Sequence, residues 1–188
     1  MKRVRWVVPP TAILFVLALT GCARYISKDA KRAFEKRPGT FSVTVFPVNI
    51  VRGFSLVDQD GELADRLARF LIDEGYADAI VDPVGADIVV KRSVSQPNVM
   101  KNSAVQFSPI VREREIRTEY ALLVEIFLNH DQTVVRGVHI YLVDREGRVA
   151  MIGLNNSHWE EYKAVMPKDR QGGYQVAIRM LRRLCSQD

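Results

Sequence analysis

From residue 41 onward, hydrophobic and polar positions alternate with two distinct periods. Phe41-Ser-Val-Thr-Val-Phe-Pro-Val-Asn-Ile-Val51 is rich in alternating and β-branched residues, and predicts a core strand at the start of a folded domain. Asp58 and Asp60 then offer N-caps to a helix. In it Leu63, Leu67, Phe70 and Leu71 form one face, Glu62, Asp65, Arg66, Arg69 and Asp73 form the other, and Gly75 follows the last turn. Ala79-Ile-Val81 and residues 86–94 predict further strands. A polar stretch over residues 96–117 contains Pro97, Pro109 and a mixed-charge run at 112–115. It predicts a loop, and a structureless connection of ~20 residues in a compact domain is either functional or disordered. Its apolar residues Val99, Met100, Val105, Phe107 and Ile110 point to a contact surface.

Three strands follow, at about residues 118–128, 133–143 and 148–157, joined by short turns at Asn129-His-Asp-Gln132 and Asp144-Arg-Glu-Gly147. Such connections imply an antiparallel meander. In its first strand Tyr120, Leu122, Val124, Ile126 and Leu128 share an apolar face, while Glu119, Leu123, Glu125 and Phe127 share a mixed one, as in a sheet covered mainly on one side. A closing helix from about Asp169 places Tyr174, Ala177, Ile178, Leu181, Leu184 and Cys185 on one stripe and Arg179, Arg182 and Arg183 opposite. The predicted fold is α+β: a mixed, largely antiparallel sheet with two helices packed on one face.

The first residues follow a different logic. Lys2, Arg3 and Arg5 precede an apolar run from about Trp6 to Leu19, too short for a permanent transmembrane helix, and the run ends at Leu19-Thr20-Gly21-Cys22. This tetrapeptide resembles the lipobox of bacterial lipoproteins. The resemblance implies a signal peptide over residues 1–21, cleavage between Gly21 and Cys22, alkylation of the Cys22 thiol with diacylglycerol, and acylation of the new amine, palmitate being the expected chain. Two or three acyl chains hold a protein stably on a membrane, where one does so only marginally. With Ala23 rather than Asp after the cysteine, the resemblance also implies the outer membrane, on its periplasmic face. The core carries a looser likeness in Phe41 to Val51, in Gly85-Ala-Asp-Ile-Val-Val90, and in Val138-His-Ile-Tyr-Leu-Val-Asp-Arg-Glu-Gly147 with its closing helix. These resemble small envelope lipoproteins that assist lipopolysaccharide assembly or transport complexes, and imply binding or scaffolding.

Charge sharpens this division. The 188 residues carry a net charge of +5, but residues 22–38 alone carry +4 and residues 39–188 carry −2. Residues 22–39 read as a lipidated basic tether beside anionic headgroups, or as a short amphipathic helix on Ile26, Ala30, Ala33 and Phe34, and residues 40–188 as a single periplasmic domain. Two cysteines exclude a disulfide scaffold, and the resemblance assigns one of them, Cys22, to lipid. Cys185, on an apolar stripe, reads as a buried thiol.

No motif specific to an enzyme is present: there is no GxSxG, Walker lysine or HExxH. His139 with His158-Trp-Glu-Glu161 is the nearest candidate for a metal site, but reads better as surface polar residues at a strand end. Trp159 and Tyr162 read as the rim of a core. The sequence therefore assigns no catalytic residue, metal or cofactor. It predicts a non-enzymatic envelope component with a membrane contact through its lipid and an envelope protein partner, and its location disfavours nucleic acid. The alternative is a lipid or lipopolysaccharide carrier with a deep apolar cavity and Lys101, Arg112 and Arg114 on phosphates. Histidine and carboxylate side chains converging in a cleft would instead point to a hydrolase.

Overall fold

The first predicted strand is two strands. In the computed structural model, which describes residues 26–93 and 95–186, Phe46 and Pro47 separate β1 (Phe41–Val45) from β2 (Val48–Arg52). Pro47 has no N–H to give to a ladder, so the strand breaks there. Both pieces run parallel to the same edge of β5 (Tyr120–Leu128): β1 pairs with its first half, β2 with its second, and Phe46 N donates to Leu122 O across the break at 2.9 Å. The expected signal segment 1–21, with its cleavage site at Gly21 and Cys22, lies outside the described residues.

A two-residue turn, Gly53-Phe54, returns the chain as β3 (Ser55–Asp60), antiparallel to β2, while β4 (Ala77–Val81) adds parallel to β1. The other edge of β5 carries the expected meander, β6 (Val135–Asp144) and β7 (Val149–Asn155). The seven strands form one mixed sheet whose longest ladder, β5 with β6, is antiparallel. The α+β class is as expected.

Two helices cover one face, also as expected. In α2 (Gly61–Asp73), Asp60 rather than Asp58 is the cap, its Oδ1 accepting from Leu63 N at 2.9 Å. In α5 (Arg170–Cys185), Asp169 Oδ1 accepts from Gly172 N at 2.9 Å. Leu63, Leu67 and Leu71 from one helix and Ala177 and Leu181 from the other are buried against Val43, Ile50, Leu122, Val124 and Ile140. Gly75, at φ 70°, follows α2 in the conformation that favours glycine.

Two further helices change the sequence picture. Within residues 22–39, the expected tether, Lys28–Glu35 form α1, the amphipathic helix that the spacing also allowed. Ser27 caps it, and Ser27 N donates to Val149 O of β7 at 2.8 Å. Ala30 and Phe34 are buried, and Phe34 meets Phe41 and Tyr120 edge to face at 5.4 Å each. The Arg37 guanidinium covers the Phe34 ring at 4.0 Å. Packing thus begins near residue 27 rather than 40, while Lys28, Lys31, Arg32 and Lys36 stay exposed.

Residues 96–113, expected as a loop, form the 18-residue helix α3 (Gln96–Glu113) on the opposite face of the sheet. Pro97 sits in its first turn, where no intrahelical N–H is needed. Val99, Met100, Ser103, Ala104, Phe107 and Val111 make a continuous buried stripe, whereas Val105 alone of the predicted contact residues is largely exposed, at 55%. Phe107 meets Phe46 edge to face at 5.1 Å above Leu123, Tyr141 and Val143. The expected strand at 86–94 is extended but joins no ladder over its described residues. Ala86, Ile88 and Val90 alternate inward, and Gln106 takes the place of a neighbouring strand: its Oε1 accepts from Val89 N at 3.0 Å and its Nε2 donates to Val89 O at 2.9 Å.

Cys185 is buried as expected, and burial pushes its thiol up to about 11, against a smaller lowering by Arg37. An unfolded thiol ionises near 8.5. Below that pH both states hold the proton; above it the unfolded chain loses its proton first, so stability falls as pH rises. Urea titrations at pH 8 and pH 10.5 are expected to differ by up to about 2–3 kcal/mol from this group, and the Cys185→Ala variant to lack that component.

Candidate functional site

Across the face that α3 covers, register aligns four polar residues on neighbouring strands: Gln59 on β3 opposite Asn49 on β2, Asn49 opposite Glu125 on β5, and Glu125 opposite His139 on β6. Asn49, Glu125 and His139 are buried, with His139 only 1% exposed. The outer half of the row is satisfied by the extended 86–90 segment, since Gln59 Nε2 and Asn49 Nδ2 both donate to Ala86 O, at 2.8 and 3.2 Å. The inner half is held by Tyr141. Its hydroxyl donates to Glu125 Oε2 at 2.8 Å and lies 3.2 Å from His139 Nδ1.

With the single Tyr141 hydroxyl hydrogen directed to Glu125, the hydrogen of the next bond is assigned to His139 Nδ1, and in that tautomer Nε2 is an acceptor. Among the described residues, His139 Nε2 and Glu125 Oε1 are buried with no hydrogen-bond partner. Buried polar atoms are almost always paired, so the two are open to a water or a ligand group.

The row lies where α3 begins, and ahead of the first turn of that helix the sheet face opens into a cleft. One lobe, of about 290 Å³, is lined by Gln96, Val99, Phe127, Gly137 and His139; a second, of about 450 Å³, by Gly53, Leu128, Asn129, His130 and Asp131. Phe54, Phe127 and Arg136 border both. Phe127 lies over the His139 ring with centroids 4.4 Å apart. The wall opposite comes from the β2–β3 turn, in which Gly53 and Phe54 both have positive φ, 54° and 78°. A two-residue turn of this hand suits strand twist, but its second position favours glycine, so Phe54 is held in a conformation costly for a side chain. A Cβ on Gly53 would collide with the His130 ring. Asn129 and Asp131 fix the remaining loop. The carboxyl of Asp131 is held below the usual range by hydrogen bonds from the Thr133 hydroxyl and backbone N–H, at 2.7 and 3.2 Å.

The sequence candidates fall differently. His139 is a mid-strand core residue rather than a surface group, and exposed His158 is not brought to it. Glu161, in the first turn of the short helix α4 (Glu160–Val165), accepts from Asn155 Nδ2 at 2.7 Å and pairs with Arg183. No group of three or more potential metal ligands occurs among the described residues. Trp159 is 42% exposed, with the Arg183 guanidinium over its ring at 5.5 Å. Tyr162 donates to Val135 O. Lys101, Arg112 and Arg114 do not converge: Arg114 binds Asp82, Val84 O and Gly85 O, Arg112 lies beside Gly147, and Lys101 is exposed. Between the sheet and the helices of the first face, the space near Cys185 is only about 10 Å³. Sequence reasoning missed the cleft, although Glu125 and His139 were visible as single ionisable residues in the middle of two apolar strands.

Fold and cleft define a two-faced α+β domain with a polar-floored groove at one end of its sheet. No family model matches the chain, and no curated protein matches it. Among solved structures, it is similar to the LpoB C-terminal domain from Salmonella enterica at 13% identity, covering 72% of this chain and 96% of that one with a TM-score of 0.39. It is also similar to the LpoB C-terminal domain from Escherichia coli, at 14% identity, 63% and 83% coverage and a TM-score of 0.38. A third is a PelC dodecamer from Paraburkholderia phytofirmans, at 17% identity, 80% and 93% coverage and a TM-score of 0.38. At these scores the likeness assigns neither family nor function.

Proposed function

We propose that this chain is a lipid-anchored protein of the bacterial outer membrane, facing the periplasm, and that it acts as a non-enzymatic binding or scaffolding component of the cell envelope with a protein partner. The observation that carries this reading is the tetrapeptide Leu19-Thr20-Gly21-Cys22 set directly ahead of a packed domain. Only three residues separate Cys22 from Ile26, at most about 14 Å of chain from one Cα to the other. An anchor at Cys22 would hold the α1 end of the domain against the membrane, with Lys28, Lys31, Arg32 and Lys36 near anionic headgroups. The cleft lies at the far end of β5, about 27 Å along the strand from Tyr120, and so faces away from the bilayer.

The near-absence of space beneath the helices near Cys185 gives the lipid-carrier alternative no support. A hydrolase would need groups free to pass protons to a substrate; here Glu125 and His139 are tied to each other through Tyr141, which leaves one buried unpaired atom on each, Oε1 and Nε2. The arrangement suits binding.

Cys22→Ser is expected to release the protein from membranes on alkaline washing, and retention of the variant would overturn the anchor. Crosslinking in intact cells is expected to recover a defined envelope protein; enrichment of lipid alone over a lipidated control would overturn the scaffolding role.

A further inference from the structure

We infer that the cleft between the β2–β3 turn and the start of α3 is a binding site for a hydroxyl-bearing ring, that is, a saccharide unit. This deepens the binding reading above by naming a site and a ligand class.

Three observations combine. First, His139 Nε2 is buried, without a partner among the described residues, on a side chain that lines the smaller lobe, while Glu125, tied to that ring through Tyr141, lines neither lobe. As the hydrogen-bond chain through Tyr141 leaves His139 Nε2 as an acceptor, the matching ligand must bring a donor. Second, Phe54 and Phe127 supply apolar walls on either side, suited to the C–H faces of a saturated ring rather than to a fully polar solute. Phe54 is 37% exposed and held at φ 78°, a strain that persists only where surrounding structure imposes it and that clusters at ligand sites. Third, the polar groups at the rim, Arg136, Asp131 and Asn129, are of both donor and acceptor types and carry both signs of charge, as ring hydroxyls can use and a purely anionic ligand cannot. Together the two lobes have room for more than one ring. Donors on an apolar-faced ring are the chemistry of carbohydrate, whether free or part of a polymer.

The test uses the full chain purified from membranes in lauryldimethylamine oxide micelles, which carry no hydroxyls. Chitotriose, maltotriose and cyclohexanecarboxylate are titrated by calorimetry and by saturation-transfer NMR. The first two offer ring donors, and the third offers a ring of similar size with a charge for Arg136 but no hydroxyl. Binding of at least one trisaccharide is expected. That affinity is expected to fall at least tenfold in Phe54→Ala, to stay within threefold in Phe54→Trp, and to fall in His139→Phe, with far-ultraviolet dichroism unchanged in the Phe54 variants. Preference for chitotriose points to an N-acetylated glycan and preference for maltotriose to a neutral one; either upholds the class. No response to either sugar at 20 mM overturns the inference, as does equal or tighter binding of cyclohexanecarboxylate, or undiminished sugar binding in Phe54→Ala. The micelle assay reads the cleft alone, so its failure leaves the anchor to be judged by the Cys22→Ser fractionation.

Discussion

Truncation of Phe107 to alanine is expected to lower the unfolding free energy by about 3–5 kcal/mol, among the largest losses available to a single substitution in this chain. The ring is fully buried, meets Phe46 edge to face, and belongs to one buried cluster with Leu123, Tyr141 and Val143 of the sheet. That helix has little of its own to hold it. Pro109 inside it removes a backbone donor, Ser108 Oγ bonds back to Ala104 O at 3.1 Å, and Ser95 makes no side-chain cap hydrogen bond. With weak local propensity, packing has to supply the stability. Urea denaturation with an unchanged slope checks the value, and Val105→Ala on the exposed side of the same helix serves as control, expected within about 0.5 kcal/mol of the parent. A loss of less than about 1 kcal/mol in Phe107→Ala would contradict the placement of residues 96–113 on the sheet.

Tyr141→Phe is the second large effect, expected at about 3 kcal/mol. It removes one hydroxyl yet strands two groups, because Glu125 Oε2 loses its donor and His139 Nδ1 loses its acceptor, both on buried side chains. Breaking a buried polar cluster costs more than never having built it. The triple variant Glu125→Leu, His139→Leu, Tyr141→Phe is therefore expected to recover most of the loss, and a mutant cycle over the three sites to show strong non-additivity. If the single variant melted with the parent, Tyr141 would not be the support of the row. Recovery in the triple variant would show that an apolar floor folds as well. The polar floor would then be explained by what the cleft holds rather than by stability.

The meander and both helices of the first face were legible because each is a long stretch with an unbroken period: YALLVEIFL for β5, and Tyr174 to Leu184 for α5. The helix α3 was not, since two prolines and the polar residues Asn98, Asn102 and Ser103 obscure a stripe that becomes plain only against a partner surface. The break of the first strand was hidden for the opposite reason. Phe46-Pro47 sits in a run so rich in β-formers that a single strand is the natural reading. The cleft needed register: that Glu125 faces His139 depends on the β5–β6 pairing, and no local pattern states which residues lie opposite each other.

The double partnership of β5 has a kinetic consequence. Its first edge is completed only when β1, the earliest strand in the chain, comes to lie beside it, with Ser42 and Glu119 joined across 77 residues of sequence. The meander on its other edge closes through short turns and can form early. The parallel edge must await closure of a long loop that contains α2, β4 and α3. Folding is therefore expected to be slow for a domain of this size, with the β1–β5 junction the last part of the sheet to form.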